Sequence, residues 1–361
     1  MSALQDERAE EQLLKVLRTV APGTPLREGL EHILRSESGA LIMIANRPEV
    51  LEIAEGGFHV NADFSPAKLY ELAKMDGAII LDKDARRIIA ANTQLVPDLG
   101  IPSNETGIRH RTAERVARQT DALVISISER RGVITIYKGA MKYVLRDLEV
   151  IFTKANQALQ TLEKYRTVLD RVLVSLSITE FEDTVTLFEV CKVIQRVVMT
   201  RQVVREIEKY ICELGTEGRL ITMQLEELVS NVESEGLMVI RDYTVNPDEK
   251  SPRQILSMIE SWPSEDLLDL SLIARALGYS GGSAILEQNV SPRGYRVLGK
   301  IPRLPYPVVE NLVASFGTLN QVLNASLEEL DEVEGIGETR ARSIKDGLSR
   351  YWNQLLQERY R

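Results

Sequence analysis

The chain has 361 residues, 44% of them hydrophobic, and a formal net charge of −9. That length predicts two or three domains, and the acidic balance excludes a protein that coats nucleic acid over its whole surface. No run of about 18 apolar residues occurs, so no membrane-spanning helix is expected, and the charged start Met1–Arg8 lacks the apolar core of a signal peptide.

Residues 1–150 mix short helices with β-rich runs. Thr24-Pro25 and Ser65-Pro66 each set a capping side chain before a proline, the usual opening of a helix. The apolar runs 40–45, 77–81, 87–91, 122–127 and 133–137 have strand length and β-branched content. Together they predict an α+β domain, a mixed sheet with helices packed against it. Gly56-Gly57-Phe58 reads equally as a hairpin turn or as a loop hugging a ligand. In Met75–Asp82, Asp76 stands where a strand begins, and Gly77 after it lets a ligand approach the backbone. A carboxylate there can hold a divalent cation; a plain Asp-Gly turn has the same letters.

Gly107-Ile108-Arg109-His110-Arg111-Thr112 packs two guanidiniums and an imidazole into three consecutive positions. Such crowding is costly unless an anion sits between the charges, and a polyphosphate is the natural one. The helix predicted from Thr112 to Gln119 places the triplet at or near a helix N-terminus, where backbone N–H groups favour phosphate. A solvated basic turn is the plainer reading of the same residues. The strand Ala122–Ser128 follows. No Gly-x-x-x-x-Gly-Lys-Ser/Thr occurs, which excludes an ordinary P-loop, and no Gly-x-Gly-x-x-Gly marks a dinucleotide fold.

Residues 151–292 carry apolar positions at three- and four-residue spacing with few Gly or Pro, predicting an all-α spacer with solvated charged faces. Its Cys191 and Cys212 are the only cysteines, so neither a disulfide framework nor a zinc site is expected, and a reducing cytoplasm suits the chain. The three histidines, His32, His59 and His110, share no metal-ligand spacing.

Residues 293–361 follow the breakers Ser280–Gly282 and Ser291–Gly294 and form an all-α module. They hold ten Lys/Arg against nine Asp/Glu, so the first 292 residues carry about −10 and the tail is where an anionic polymer is tolerated. Leu330–Ile344 has the spacing of a helix-hairpin-helix. Gly335 and Gly337 flank an Ile336 plug, and the helix that follows carries Arg340, Arg342 and Lys345. Glycine permits close approach to a phosphate and the helix start favours it, so these six residues are the candidate DNA contacts, made to the backbone without reading sequence. The stretch 308–316 with Phe316-Gly317-Thr318 looks like a degenerate first copy. A small helical module that binds protein fits the same pattern, and Glu332, Glu334 and Glu338 near the hairpin favour it.

Asp76-Gly77-Ala78, Asn92-Thr93-Gln94-Leu95, Gly107–Thr112 and Ser126–Arg131, in that order and spacing, resemble the diadenylate cyclase family. The helical region and the C-terminal module are similar to its DNA integrity scanning branch, so the resemblance spans essentially the whole chain. One departure is Ile108, where the family's basic motif often carries Thr. The resemblance implies condensation of two ATP into cyclic di-AMP and two diphosphates, across facing half-sites of an oligomer, an octamer. It implies that Asp76 engages the metal, Mg²⁺ or Mn²⁺, and the attacking hydroxyl. Arg109, His110 and Arg111 become the catalytic phosphate clamp, with Ile108, Thr112 and Ser128 beside the phosphates and Gly77 and Leu95 on the nucleoside. It further implies a nucleoid-associated protein of the cytoplasm whose partner is branched DNA such as Holliday junctions, in a DNA damage checkpoint. A non-catalytic DNA-binding scaffold and a repair nuclease are the rival readings; the first domain's lack of an acidic metal cluster speaks against the nuclease.

Overall fold

The computed structural model describes residues 2–45 and 53–359. They form two compact units, one of residues 1–156 and 208–222, the other of residues 157–207 and 223–361.

The first unit is built on one eight-stranded sheet. Its strands are β1 (Ala40–Ile44), β2 (Ala54–Glu55), β3 (Phe58–Asp63), β4 (Ala78–Leu81), β5 (Arg87–Leu95), β6 (Leu123–Ser128), β7 (Val133–Lys138) and β8 (Met141–Val144). They run in the order β2-β5-β4-β1-β6-β7-β8, with β3 also paired to β5. The β1–β4 pair is parallel and the others are antiparallel, so the sheet is mixed.

Strand β1 shows why helices cover both faces. All five of its residues are buried, with Ala40, Ile42 and Ile44 on one face and Leu41 and Met43 on the other. The first set joins a core with residues of α1 (Ser2–Thr19), α2 (Pro25–Arg35) and α3 (Pro66–Ala73). The second packs under Ala113, Val116 and Ala117 of α4 (Ile108–Thr120). Both predicted caps are present: Thr24 accepts from Arg27 N at 3.2 Å, and Ser65 accepts from Lys68 N at 3.3 Å. Helix α4 opens earlier than expected, with Gly107 as its N-cap, so the basic triplet fills its first turn.

The second unit is helical. It takes in most of α5 (Leu148–Glu182) and α6 (Leu187–Leu214), then α7 (Arg219–Val229, from Met223), α8 (Val232–Tyr243), α9 (Pro252–Glu260) and α10 (Leu270–Ala276). All of these except α7 share one core running from Leu169 to Ile285. The tail adds α11 (Tyr295–Leu298), α12 (Tyr306–Phe316), α13 (Leu319–Asn324), α14 (Leu327–Asp331) and α15 (Glu338–Arg359) around a second core.

A buried charged joint ties this tail to the spacer. Asp242 accepts from the backbone N–H groups of Gly294, Tyr295 and Arg296 at 2.7–3.0 Å. Arg296 is paired with Glu180, both side chains essentially out of solvent, and Tyr243 donates to the same carboxylate at 2.9 Å. Arg293 donates to the carbonyls of Arg241, Asp242 and Thr244. Burial and the neighbouring Glu180 charge push the Asp242 carboxyl up to about 7.

Candidate active site and nucleic-acid module

Strands β4 and β5 bring the first two motifs together, because Ala78 pairs with Thr93 across them. Gly77 donates its N–H to Asn92 Oδ1 at 3.2 Å. A Cβ at Gly77 would lie 2.5 Å from Asn92 Cα and 2.6 Å from Thr93 N, both backbone atoms, so only glycine fits. Asn92 takes a left-handed φ of 53°, turning the strand where the two motifs meet. Leu95 pairs with Ala54, and its side chain packs in the core under α4.

Helix α4 delivers the basic triplet to the same edge. Its N-cap Gly107 has no capping side chain and its first turn holds no acid, so the first N–H groups are left for an anion. Arg109 Nη2 lies 3.7 Å from Asp76 Oδ1, whose side chain is fully exposed. The Arg109 guanidinium also lies against Gly39, where a Cβ would collide with Nη1. Arg111 is exposed and reaches back to the Glu105 carbonyl at 3.4 Å. Ile108 is exposed and Thr112 half-buried. Ser128, at the end of β6, accepts from Arg131 N at 3.4 Å.

His110 sits in a relay that its sequence neighbourhood does not reveal. Its Nδ1 lies 3.0 Å from Tyr137 Oη, and Tyr137 donates to Glu105 Oε1 at 2.9 Å. Glu105 is also ion-paired with Lys142. Burial works against the Glu105 charge, but hydrogen bonds from Lys142 and Tyr137 hold its carboxyl below the usual range. An ionised carboxylate only accepts, so it takes the single tyrosine proton. Tyr137 Oη must then accept from His110, which puts the imidazole proton on Nδ1 and the lone pair on Nε2. That Nε2 is buried and has no hydrogen-bond partner among the described residues. Burial first, then the charges of Arg131 and Lys142, hold the ring below the ordinary histidine pKa, against the pull of Glu105. Glu105, Tyr137 and Gly39 are thus site neighbours that sequence reasoning missed. Tyr137 comes from β7, Gly39 immediately precedes β1 and Glu105 lies in the loop just before α4, and no local motif marks them.

In the tail, Gly335 has a left-handed φ of 83° and Ile336 is buried in the tail core, as the glycine–plug–glycine reading requires. Gly337 immediately precedes α15. Arg340, on its first turn, is exposed and donates to the Gly335 carbonyl. The other two candidate contacts are differently placed. Arg342 is paired with Glu338 one turn back, and Lys345 is half-buried, donating to the Leu323 carbonyl at 2.8 Å. Among the described residues no group of three or more His, Cys, Asp or Glu could hold a metal ion, and no helix is long and apolar enough to cross a membrane.

Comparison with known proteins follows the same division. Residues 27–141 match the family model described as DisA bacterial checkpoint controller nucleotide-binding. Residues 145–286 match the DisA bacterial checkpoint controller linker region, and residues 301–356 a helix-hairpin-helix motif. A nucleotide-binding domain of this kind, with a helical linker and a helix-hairpin-helix module, defines a diadenylate cyclase, an enzyme that joins two ATP into cyclic di-AMP and releases two diphosphates. The DNA integrity scanning protein DisA of Carboxydothermus hydrogenoformans is 62% identical over 345 residues, 96% of this chain and 98% of that one. That of Symbiobacterium thermophilum is 56% identical over 345 residues, 96% and 97% of the two chains. Among solved structures, DacA from Staphylococcus aureus matches 40% of this chain and 92% of its own at 22% identity, with a TM-score of 0.28. The chain belongs to the DNA integrity scanning protein DisA family.

Proposed function

We propose that the cyclase site is the edge where Asp76, the first turn of α4 and Ser128 converge, and that it works as one half of a two-fold pair. The observation that carries this reading is the exposed Asp76 carboxylate beside Arg109, at a helix N-terminus with no cap. The division of labour is then a cyclase domain over 1–150, a spacer over 151–292 and a DNA-binding module over 293–361.

A symmetric product made from two ATP is most simply built by two identical half-sites facing across a two-fold axis, each presenting one ATP to the other. Arg109 and Arg111 clamp phosphate oxygens and offset the charge that develops on the leaving diphosphate. The N–H groups of Ile108 and its neighbours add to that clamp, so the missing Thr hydroxyl at Ile108 removes one contact only. Thr112 and Ser128 offer hydroxyls beside the phosphates, and the Gly77 and Leu95 backbones face the nucleoside. Neutral His110 presents a lone pair at Nε2, so it accepts from a hydroxyl or takes up a proton; it donates to phosphate only once protonated.

A single exposed carboxylate suits a hard divalent cation, Mg²⁺ or Mn²⁺, that draws its remaining ligands from phosphate and water. Asp76 would hold such an ion, and its chemistry when bound is to polarise the attacking hydroxyl and neutralise phosphate charge. At the other end, a module that touches phosphates responds to shape, and several copies on one oligomer, an octamer in this reading, favour DNA with several arms. Four-way junctions are therefore the regulating ligand, acting by inhibition, in a nucleoid-associated checkpoint role. The test is cyclic di-AMP synthesis by the full chain with junction or linear duplex at equal phosphate. Stronger inhibition by the junction is expected; equal response to both refutes the reading.

A further inference from the structure

We infer that the nucleic-acid surface of the tail is a cleft built from Arg303, Arg340 and Arg350, with DNA backbone phosphodiesters as its ligand. The inference rests on the proposed DNA-binding role of the tail and goes beyond it by naming the site.

The basic residues of the tail have unequal fates. Arg293 and Arg296 are consumed by the joint with the spacer. Lys300 pairs with Glu235 at 3.1 Å, Arg359 with Glu182 at 3.5 Å, and Arg342 with Glu338. Lys345 turns onto the Leu323 carbonyl. Among the described residues from 293 onward, the exposed basic side chains without a carboxylate partner are Arg303, Arg340 and Arg350. All three line one open cleft of about 690 Å³, whose wall also holds the Gly337 backbone and the Thr339 and Ser343 side chains. Glu338 lines it too, its charge taken up by Arg342.

The three arginines come from distant places in the sequence: the Ile301–Leu304 connection, the first turn of α15, and a position ten residues further along that helix. Like charges brought together repel, and the one carboxylate lining the cleft, Glu338, is paired with Arg342, so the arrangement suits a protein that receives an anion there. Arg303 adds a separate observation. Its φ is 63°, in the left-handed region where a β-carbon is strained and glycine is favoured. An arginine is kept where glycine fits more easily, which fits a side chain used for contact. Planar guanidiniums and small hydroxyls match phosphate oxygens, and several of them at one cleft follow successive phosphates of a strand.

The experiment is binding of the full chain to a fluorescent four-way junction over a range of salt. Arg303→Gln and Arg350→Gln should each weaken binding roughly tenfold. The triple variant with Arg340→Gln should flatten the log–log salt slope by about 2.7, near 0.9 for each lost phosphate contact. Arg359→Gln should stay within about twofold of wild type, its guanidinium lying outside the cleft and beside Glu182. All four residues are exposed, so melting temperatures should not move. Wild-type slope and affinity in the triple variant overturn the cleft, and so does an Arg359→Gln loss as large as that of Arg303→Gln. Pyrophosphate at millimolar concentration displacing the junction completely indicates a free-anion site and overturns the DNA ligand. A wild-type chain that binds neither junction nor duplex overturns the DNA-binding reading itself.

Discussion

Gly77→Ala is the sharpest test of how the sheet holds the site. The added methyl carbon would sit 2.5 Å from Asn92 Cα and 2.6 Å from Thr93 N, closer than any non-bonded contact permits. Both neighbours are backbone, so relief must come from parting β4 and β5 by about an ångström, with loss of the Gly77–Asn92 hydrogen bond. Overpacking of this kind costs about 1–3 kcal/mol. At roughly 2–4 °C per kcal/mol for a domain of this size, the melting temperature of the first unit should fall by several degrees. Activity should fall much further, because Asp76 is the adjacent residue and a displacement of about 1 Å at reacting groups costs on the order of a hundredfold. Gly282→Ala is the control, since nothing lies within 4 Å of its added carbon. The assays are thermal melting by circular dichroism and cyclic di-AMP formation from ATP by chromatography. Wild-type melting and wild-type rate in Gly77→Ala refute the reasoning.

Three further outcomes are expected. Tyr137→Phe removes the acceptor for the His110 Nδ1 proton while keeping the ring, so kcat should drop about tenfold or more with little change in KM; nitrogen-15 NMR should show the imidazole proton leaving Nδ1, and an unchanged tautomer contradicts the relay. His110 should titrate below 6.5 in the folded chain. A histidine depressed by folding binds fewer protons folded than unfolded, so stability rises with pH between that lowered pKa and 6.5, and a melting curve flat in pH across that window, or unchanged in His110→Gln, counts against it. Arg296→Ala leaves the buried Glu180 unpaired, at a cost of about 3–5 kcal/mol, so the second unit should melt well before the first; the same joint makes point variants of the tail a cleaner test than its deletion, which would strip partners from Asp242 and Glu180.

Local signals were legible in the sequence and distant ones were not. The Thr24 and Ser65 caps act within three residues, and both were readable. The β1, β4, β6 and β7 runs are apolar on both faces, so each stands out as a block. Strands β2, β3 and β8 escaped because they are short or alternate exposed and half-buried residues such as His59, Asn61 and Lys142, leaving no apolar run. The basic triplet was visible as a cluster, but its place in the first turn depends on Gly107 acting as cap without a side chain. The His110 partner Tyr137 lies 27 residues along the chain, on a strand whose pairing no local pattern encodes, and Glu105, only five residues before His110, reaches the ring only through Tyr137. Charge counts in the tail missed which cations were already spoken for: Arg296 and Lys345 are as basic as Arg303 in composition, yet they face inward.

The measurement that bears most directly on the cyclase site is product formation by wild type and Asp76→Asn, incubated with ATP and Mg²⁺ and analysed by mass. Asp76 is fully exposed, so the nearly isosteric change leaves packing and melting temperature intact. Wild type should convert ATP to cyclic di-AMP and diphosphate, and Asp76→Asn should be slower by more than about a hundredfold. Cyclic di-AMP made by Asp76→Asn at the wild-type rate would contradict the assignment of the site.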